Sequence, residues 1–176
     1  QPAPTTAPVA PRVEAALTTE HYALTLTSIG ARALRFELLQ PDRYALHGDY
    51  LAPLTERADE GKLPDELPLT TSIEALGLDD EAAYRLVPTP DGSVLFAWTS
   101  PDGKVDVEKR YSRGTTPYAV KLSVRVSNRR AERVDGSVIQ SLYGFQREGE
   151  EPGFFSPGRP IAAKCLTDDD VEDIAP

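Results

Sequence analysis

Nucleophilic catalysis requires a serine, threonine or cysteine beside a base, and this sequence holds few bases: His21 and His47 are its two histidines, and Cys165 is its single cysteine. Neither histidine stands in a nucleophile context. The spacings Gly-x-Ser-x-Gly, Gly-x-x-x-x-Gly-Lys, His-Glu-x-x-His and Cys-x-x-Cys are all absent. His21 falls on the polar face of the first strand-like run and reads as an exposed or edge residue. Cys165 has no partner for an internal disulfide and reads as a small buried apolar side chain. The run Asp168-Asp169-Asp170-Val171-Glu172-Asp173 is acidic enough to suggest calcium. A calcium loop of the helix–loop–helix kind needs glycine at its sixth position, where Asp173 stands, so the run reads as a solvated acidic edge. Nothing among the 28 acidic residues singles out a pair for glycoside hydrolysis. No catalytic, metal or cofactor site is assigned, and the chain is expected not to be an enzyme.

Two features suit contact rather than catalysis. Phe154-Phe155 sits between Gly153 and Ser156-Pro157. It is either a plug that closes the end of a core, which the tendency of large apolar side chains to bury favours, or a sticky contact. With Asp168, Asp169 and Asp170, these phenylalanines form a candidate partner surface.

The chain has 176 residues and a net charge of −9. Such a balance argues against nucleic acid, which is normally met by a basic face, and against anionic lipid met through a polybasic patch. No apolar run approaches the roughly 20 residues that span a bilayer as a helix. The sequence begins at Gln1 and contains no methionine, from which a piece of a longer protein is expected.

The elements that position these residues read as strands. Residues 1–17 open with Pro2, Pro4, Pro8 and Pro11 among alanine and threonine, a composition that favours an extended linker. Residues 18–176 form the folded domain. Tyr22, Leu24 and Leu26 alternate with polar neighbours. After Ile29-Gly30, Leu34, Phe36 and Leu38 do the same, which makes a hairpin with one buried face. Strands over 83–89, 94–99 and 105–111 are separated by two Pro-Asp-Gly turns, at Pro90 and Pro101. Proline presets φ there, aspartate caps locally and glycine accepts positive φ. Tyr118, Val120, Leu122, Val124 and Val126 are expected in the core, with Lys121 and Arg125 on the other face. A further strand is expected from Arg133 to Phe145. The stretch 51–78, with Pro53, Pro64 and Pro68, reads as irregular, with one short helix near Ser72–Gly77. Many short strands with frequent turns predict an all-β, two-sheet antiparallel sandwich.

These residues resemble the large periplasmic domain of YidC-type bacterial membrane protein insertases. That family opens the domain with a strand, a Ser-x-Gly-Gly turn and a second strand. Leu24, Leu26, Ser28, Ile29, Gly30, Ala31, Leu34 and Leu38 are similar, with Ala31 where the second glycine is usual. The family's later pattern, Asp-Gly, alternating apolar residues, Lys-x-Tyr, a tyrosine and a Val-x-Asn close, is matched by Asp102-Gly103, Val105, Val107, Lys109, Tyr111, Tyr118, Leu122, Val126 and Asn128. The resemblance covers about residues 18–165. It implies a β-supersandwich like that of sugar mutarotases but without their catalytic histidines, on the periplasmic face of the inner membrane of a Gram-negative bacterium, in a multi-pass parent protein. It implies an accessory role: support for insertion and folding of membrane proteins, through contact with Sec translocon subunits and nascent chains. The competing expectation is a carbohydrate-binding or sugar-epimerase-like protein of the mutarotase-like fold, which would need His21 or His47 beside a carboxylate on a concave sheet face.

Overall fold

The computed structural model describes residues 11–39, 67–142, 163–167 and 170–174. The chain divides into two compact units, Gln1–Tyr143 and Gly144–Pro176. The first is all-β. Strands β1 (Glu14–Thr18), β2 (Tyr22–Thr27) and β3 (Arg32–Leu38) pair antiparallel in that order. Strand β1 therefore begins at Glu14, inside the stretch that composition assigns to a linker, because Ala16 and Leu17 find register partners in Thr25 and Leu24.

β4 (Thr70–Ser72) follows, then a single 3-10 turn at Glu74–Leu76, ended by Gly77 in the left-handed region. That turn lies where the short helix is expected. Next comes an antiparallel meander of β5 (Arg85–Val87), β6 (Val94–Thr99), β7 (Val105–Arg113) and β8 (Val120–Asn128). Both Pro-Asp-Gly turns form as their chemistry requires. Gly92 and Gly103 take φ of 73° and 68°, and Asp91 and Asp102 accept backbone N–H bonds from Ser93 at 3.1 Å and Lys104 at 3.2 Å. β9 (Ile139–Ser141) pairs with β4. It is shorter than the strand expected from Arg133 to Phe145: residues 133–138 are irregular, and Phe145 lies outside the described residues.

The two larger sheets share one core. Leu17, Tyr22, Leu24, Leu26, Ala31 and Ala33 come from the first sheet and its turn, and Val94, Phe96, Val105, Val107 and Tyr111 from the second. Ile73, Leu76, Leu78 and Tyr84 close the core from the connection between them. The result is sandwich-like. A β-bulge opposite Thr25 and Leu26 makes Leu34 the extra residue, since Thr25 pairs with Arg35 and Leu26 with Ala33. The expected alternation therefore changes parity: Ala31 and Ala33 join the core, while Phe36 and Leu38 still pack against it.

Strand β8 departs from expectation in depth, not in direction. Val120, Leu122 and Val124 pack half-buried against the core. Tyr118, just before the strand, is exposed, and so is Val126 at 42%; among the described residues β8 pairs with one neighbour, β7, and so lies at the edge of its sheet. Lys121 and Arg125 lie exposed on the opposite face, as expected. The second unit contributes one antiparallel hairpin, β10 (Ala163–Thr167) with β11 (Asp170–Ile174).

Candidate functional site

The strongest concentration of unusual chemistry is a lysine in the core. Lys109 shares its parity in β7 with Val105, Val107 and Tyr111, so it faces inward. In the cross-strand row it stands between Phe96 of β6 and Val124 of β8, with Leu86 of β5 beyond Phe96. It is 0% exposed. A buried ammonium or amine requires partners, and these come from outside the sheet. Lys109 Nζ donates to the carbonyls of Leu69 at 2.7 Å and Gly30 at 3.2 Å. Two residues on, the Tyr111 hydroxyl donates to the carbonyl of Ala31 at 2.5 Å.

Backbone conformation makes those carbonyls available. Gly30, Ala31 and Leu69 have φ of 68°, 45° and 66°. Ala31 and Leu69 are the only non-glycine residues with positive φ among those described, and each holds a conformation that disfavours a side chain by ~1–2 kcal/mol. Such strain persists where the surroundings over-determine it, and here each strained residue gives its carbonyl to Lys109 or Tyr111. At Gly30 a side chain would also meet the Asp80 carbonyl at 2.5 Å, so the turn admits only glycine there.

Electrostatics follow from burial. Desolvation, with the nearby Arg32 guanidinium adding to it, pushes the Lys109 amine down to about 7. Arg32 is itself bound to Asp80 at 3.2 Å. Burial raises the Tyr84 and Tyr111 hydroxyls above the usual phenol range, with Asp79 and Tyr84 respectively adding to the effect. The Lys109 amine lies 6.0 Å from the Tyr84 ring centre and 5.8 Å from that of Tyr111. A lysine part-neutral at pH 7 has the electronic profile of a base or imine-forming nucleophile. Its position supports a different task. The amine is fully covered and points at two carbonyls, so it ties β7 to the β2–β3 turn and to the lead into β4.

Other sequence-derived candidates are placed as follows. His21 is not an exposed residue: its side chain is 14% exposed, its ring packs 5.1 Å from that of Tyr118, and its Nε2 lies 3.1 Å from the Glu20 carboxylate. The Tyr118 ring, reaching over from the β7–β8 connection, accounts for the cover. This carboxylate is the adjacent residue in a turn before β2. His47, Phe154, Phe155, Asp168 and Asp169 lie outside the described residues. Asp170 opens β11 opposite Thr167, and Cys165 lies in β10 opposite Glu172. No cluster of three His, Cys, Asp or Glu able to hold a metal occurs among the described residues.

Lys109 was within reach of sequence reasoning. Period-two alternation places it between Val107 and Tyr111 on the buried face, and a lone lysine in an apolar stripe implies that something in the core receives it. No family model matches the chain, and comparisons with curated proteins and with solved structures return no significant match.

Proposed function

We propose that this chain is an accessory periplasmic domain of a YidC-type membrane protein insertase, a module without catalytic activity of its own. It would support insertion and folding of inner-membrane proteins through contacts with Sec translocon accessory subunits and nascent chains. One observation carries the reading. The two stretches on which the resemblance rests are distant in sequence, yet they are bonded to each other: Lys109 to Gly30 and Tyr111 to Ala31. A Lys-x-Tyr pair and a Ser-x-Gly-Gly-like turn therefore have a physical reason to occur together, since one supplies the donors that hold the other. The chain's own turn, with Ala31 in the left-handed region, sits where the family's second glycine would relieve that strain.

The parent gene provides the test. Its flanking sequence is expected to encode membrane-spanning segments on both sides of this region, and the full-length product should restore insertion in cells depleted of their resident insertase. Removing residues 18–176 should reduce co-purification of Sec accessory subunits. A parent without membrane segments, or one that fails to restore insertion, would overturn the proposal. Mutarotation of glucose above the buffer rate, abolished by His21→Ala or His47→Ala, would instead favour the sugar-epimerase alternative.

A further inference from the structure

Among the described residues, no strand pairs with the outer edge of β8. β8 has nine residues, pairs with β7 without a register shift, and contains neither proline nor bulge. It ends its sheet, whereas the opposite edge strand, β5, has only three residues. Every second residue of an edge strand turns its N–H and C=O away from the sheet, and long flat edges of this kind pair readily with another strand.

Side chains on β8 specify what would pair. On the core side, Leu122 and Val124 are half-buried and Val126 is exposed, so a neighbouring strand with apolar residues at alternate positions would complete their cover. On the outer face stand Lys121 and Arg125, four residues apart, with serines at 123 and 127. Among the described residues neither cation has a carboxylate within ion-pair distance. This holds even though Glu108 is the register partner of Arg125 on β7, while Arg113, Arg129 and Arg130 are bound to Glu20, Asp106 and Asp102. A second copy of the chain is a poor occupant. Antiparallel pairing of two β8 strands would gather Lys121 and Arg125 from both on one face, and like charges across strands destabilise the pairing.

We infer that β8 is an addition site for an extended peptide strand of another polypeptide, apolar on one face and bearing acidic residues four apart on the other. Main-chain bonds supply affinity, and the match of two carboxylates to Lys121 and Arg125 supplies selectivity and register. The inference stands independently of the insertase proposal, since it concerns the isolated chain.

A direct test uses a fluorescein-labelled peptide as long as β8, with glutamate at its third and seventh positions, threonine at the other odd positions and valine at the even ones. Fluorescence anisotropy should show saturable binding that weakens as salt rises. Affinity should fall at least about tenfold for Lys121→Glu/Arg125→Glu, and the same variant should now prefer a peptide with lysines in place of the glutamates. Both substituted residues are exposed, and the circular dichroism spectrum of the variant checks that it folds. A proline at the peptide's central position should abolish binding. Equal binding of the acidic and lysine peptides by the unmodified chain, unchanged binding by the double variant, or no saturable binding would overturn the inference. So would a dimer in sedimentation that Lys121→Glu alters, since that would make a second copy the occupant.

Discussion

A lysine buried among Phe96, Val124, Tyr84 and Tyr111 links the stability of this molecule to pH with a sign that can be worked out. In the unfolded chain its amine titrates near 10.5, whereas burial pushes it down to about 7 in the fold. Between those values the unfolded state binds a proton that the folded state does not, so stability rises with pH, by up to ~1.4 kcal/mol per pH unit. Below about 7 both states are protonated and the slope from this group vanishes. Above pH ~10 the trend reverses, because the buried Tyr84 and Tyr111 resist an ionisation that unfolded tyrosines undergo freely. Urea unfolding at intervals from pH 7 to 10 should give rising midpoints for the native chain. Lys109→Met should give a flat series over the same range, and a parallel rise in both proteins would remove Lys109 as its cause. Parity alone places this side chain indoors. Its acceptors were not legible, because they depend on left-handed residues at positions 30 and 69, and a leucine gives no sequence signal that it will adopt such a conformation.

Strands behave according to their neighbours, and β7 and β8 illustrate it. Val107 is fully buried in β7, while Val124 lies half-buried in β8 with Lys109 as its register partner. A carboxylate at 107 would enter an apolar row between Trp98 and Val126. A carboxylate at 124 would stand one strand spacing, about 4.5–5.5 Å between Cβ atoms, from the buried amine. Val107→Asp should therefore destabilise by more than ~3 kcal/mol. Val124→Asp should destabilise much less, and it should hold Lys109 protonated, so that the rise in stability from pH 7 to 10 shrinks or disappears. Equal losses in the two variants, with the pH slope intact, would mean that the side chain at 124 does not reach the amine. The same two strands mark how far pattern reading extends. Alternation gave the faces of β7 and β8 correctly, and Pro-Asp-Gly gave both turns of the meander, because each signal is local. Depth is not local. Val124 and Val107 look alike in sequence, and only the order β5-β6-β7-β8 makes one of them an edge residue. The bulge at Leu34 was hidden for a related reason: leucine suits either face, and the parity change is settled by pairing with β2.

At the scale of the whole chain, composition suggests a single domain over 18–176, whereas contacts divide it at Tyr143. Among the residues whose burial is described, the core cluster and the apolar side chains packed against it lie between Ala15 and Val134. Residues 144–176 carry three basic and eight acidic side chains, and so −5 of the net charge of −9; their described structure is the β10–β11 hairpin. A two-stranded hairpin is marginal on its own in water, while a shared core between a three-stranded and a four-stranded sheet is not. A chain ending at Tyr143 should therefore unfold cooperatively, with stability within ~1 kcal/mol of the full chain at moderate salt. At low salt its stability should depend less on added sodium chloride, because it carries less charge to repel itself. The separate peptide 144–176 should lack a strand signal in circular dichroism. Urea titrations of both proteins, read by Trp98 fluorescence in β6, make the comparison. Loss of the cooperative transition on truncation would mean that the acidic C-terminal segment is part of what stabilises the sandwich, and that the division at Tyr143 is one of contacts but not of folding.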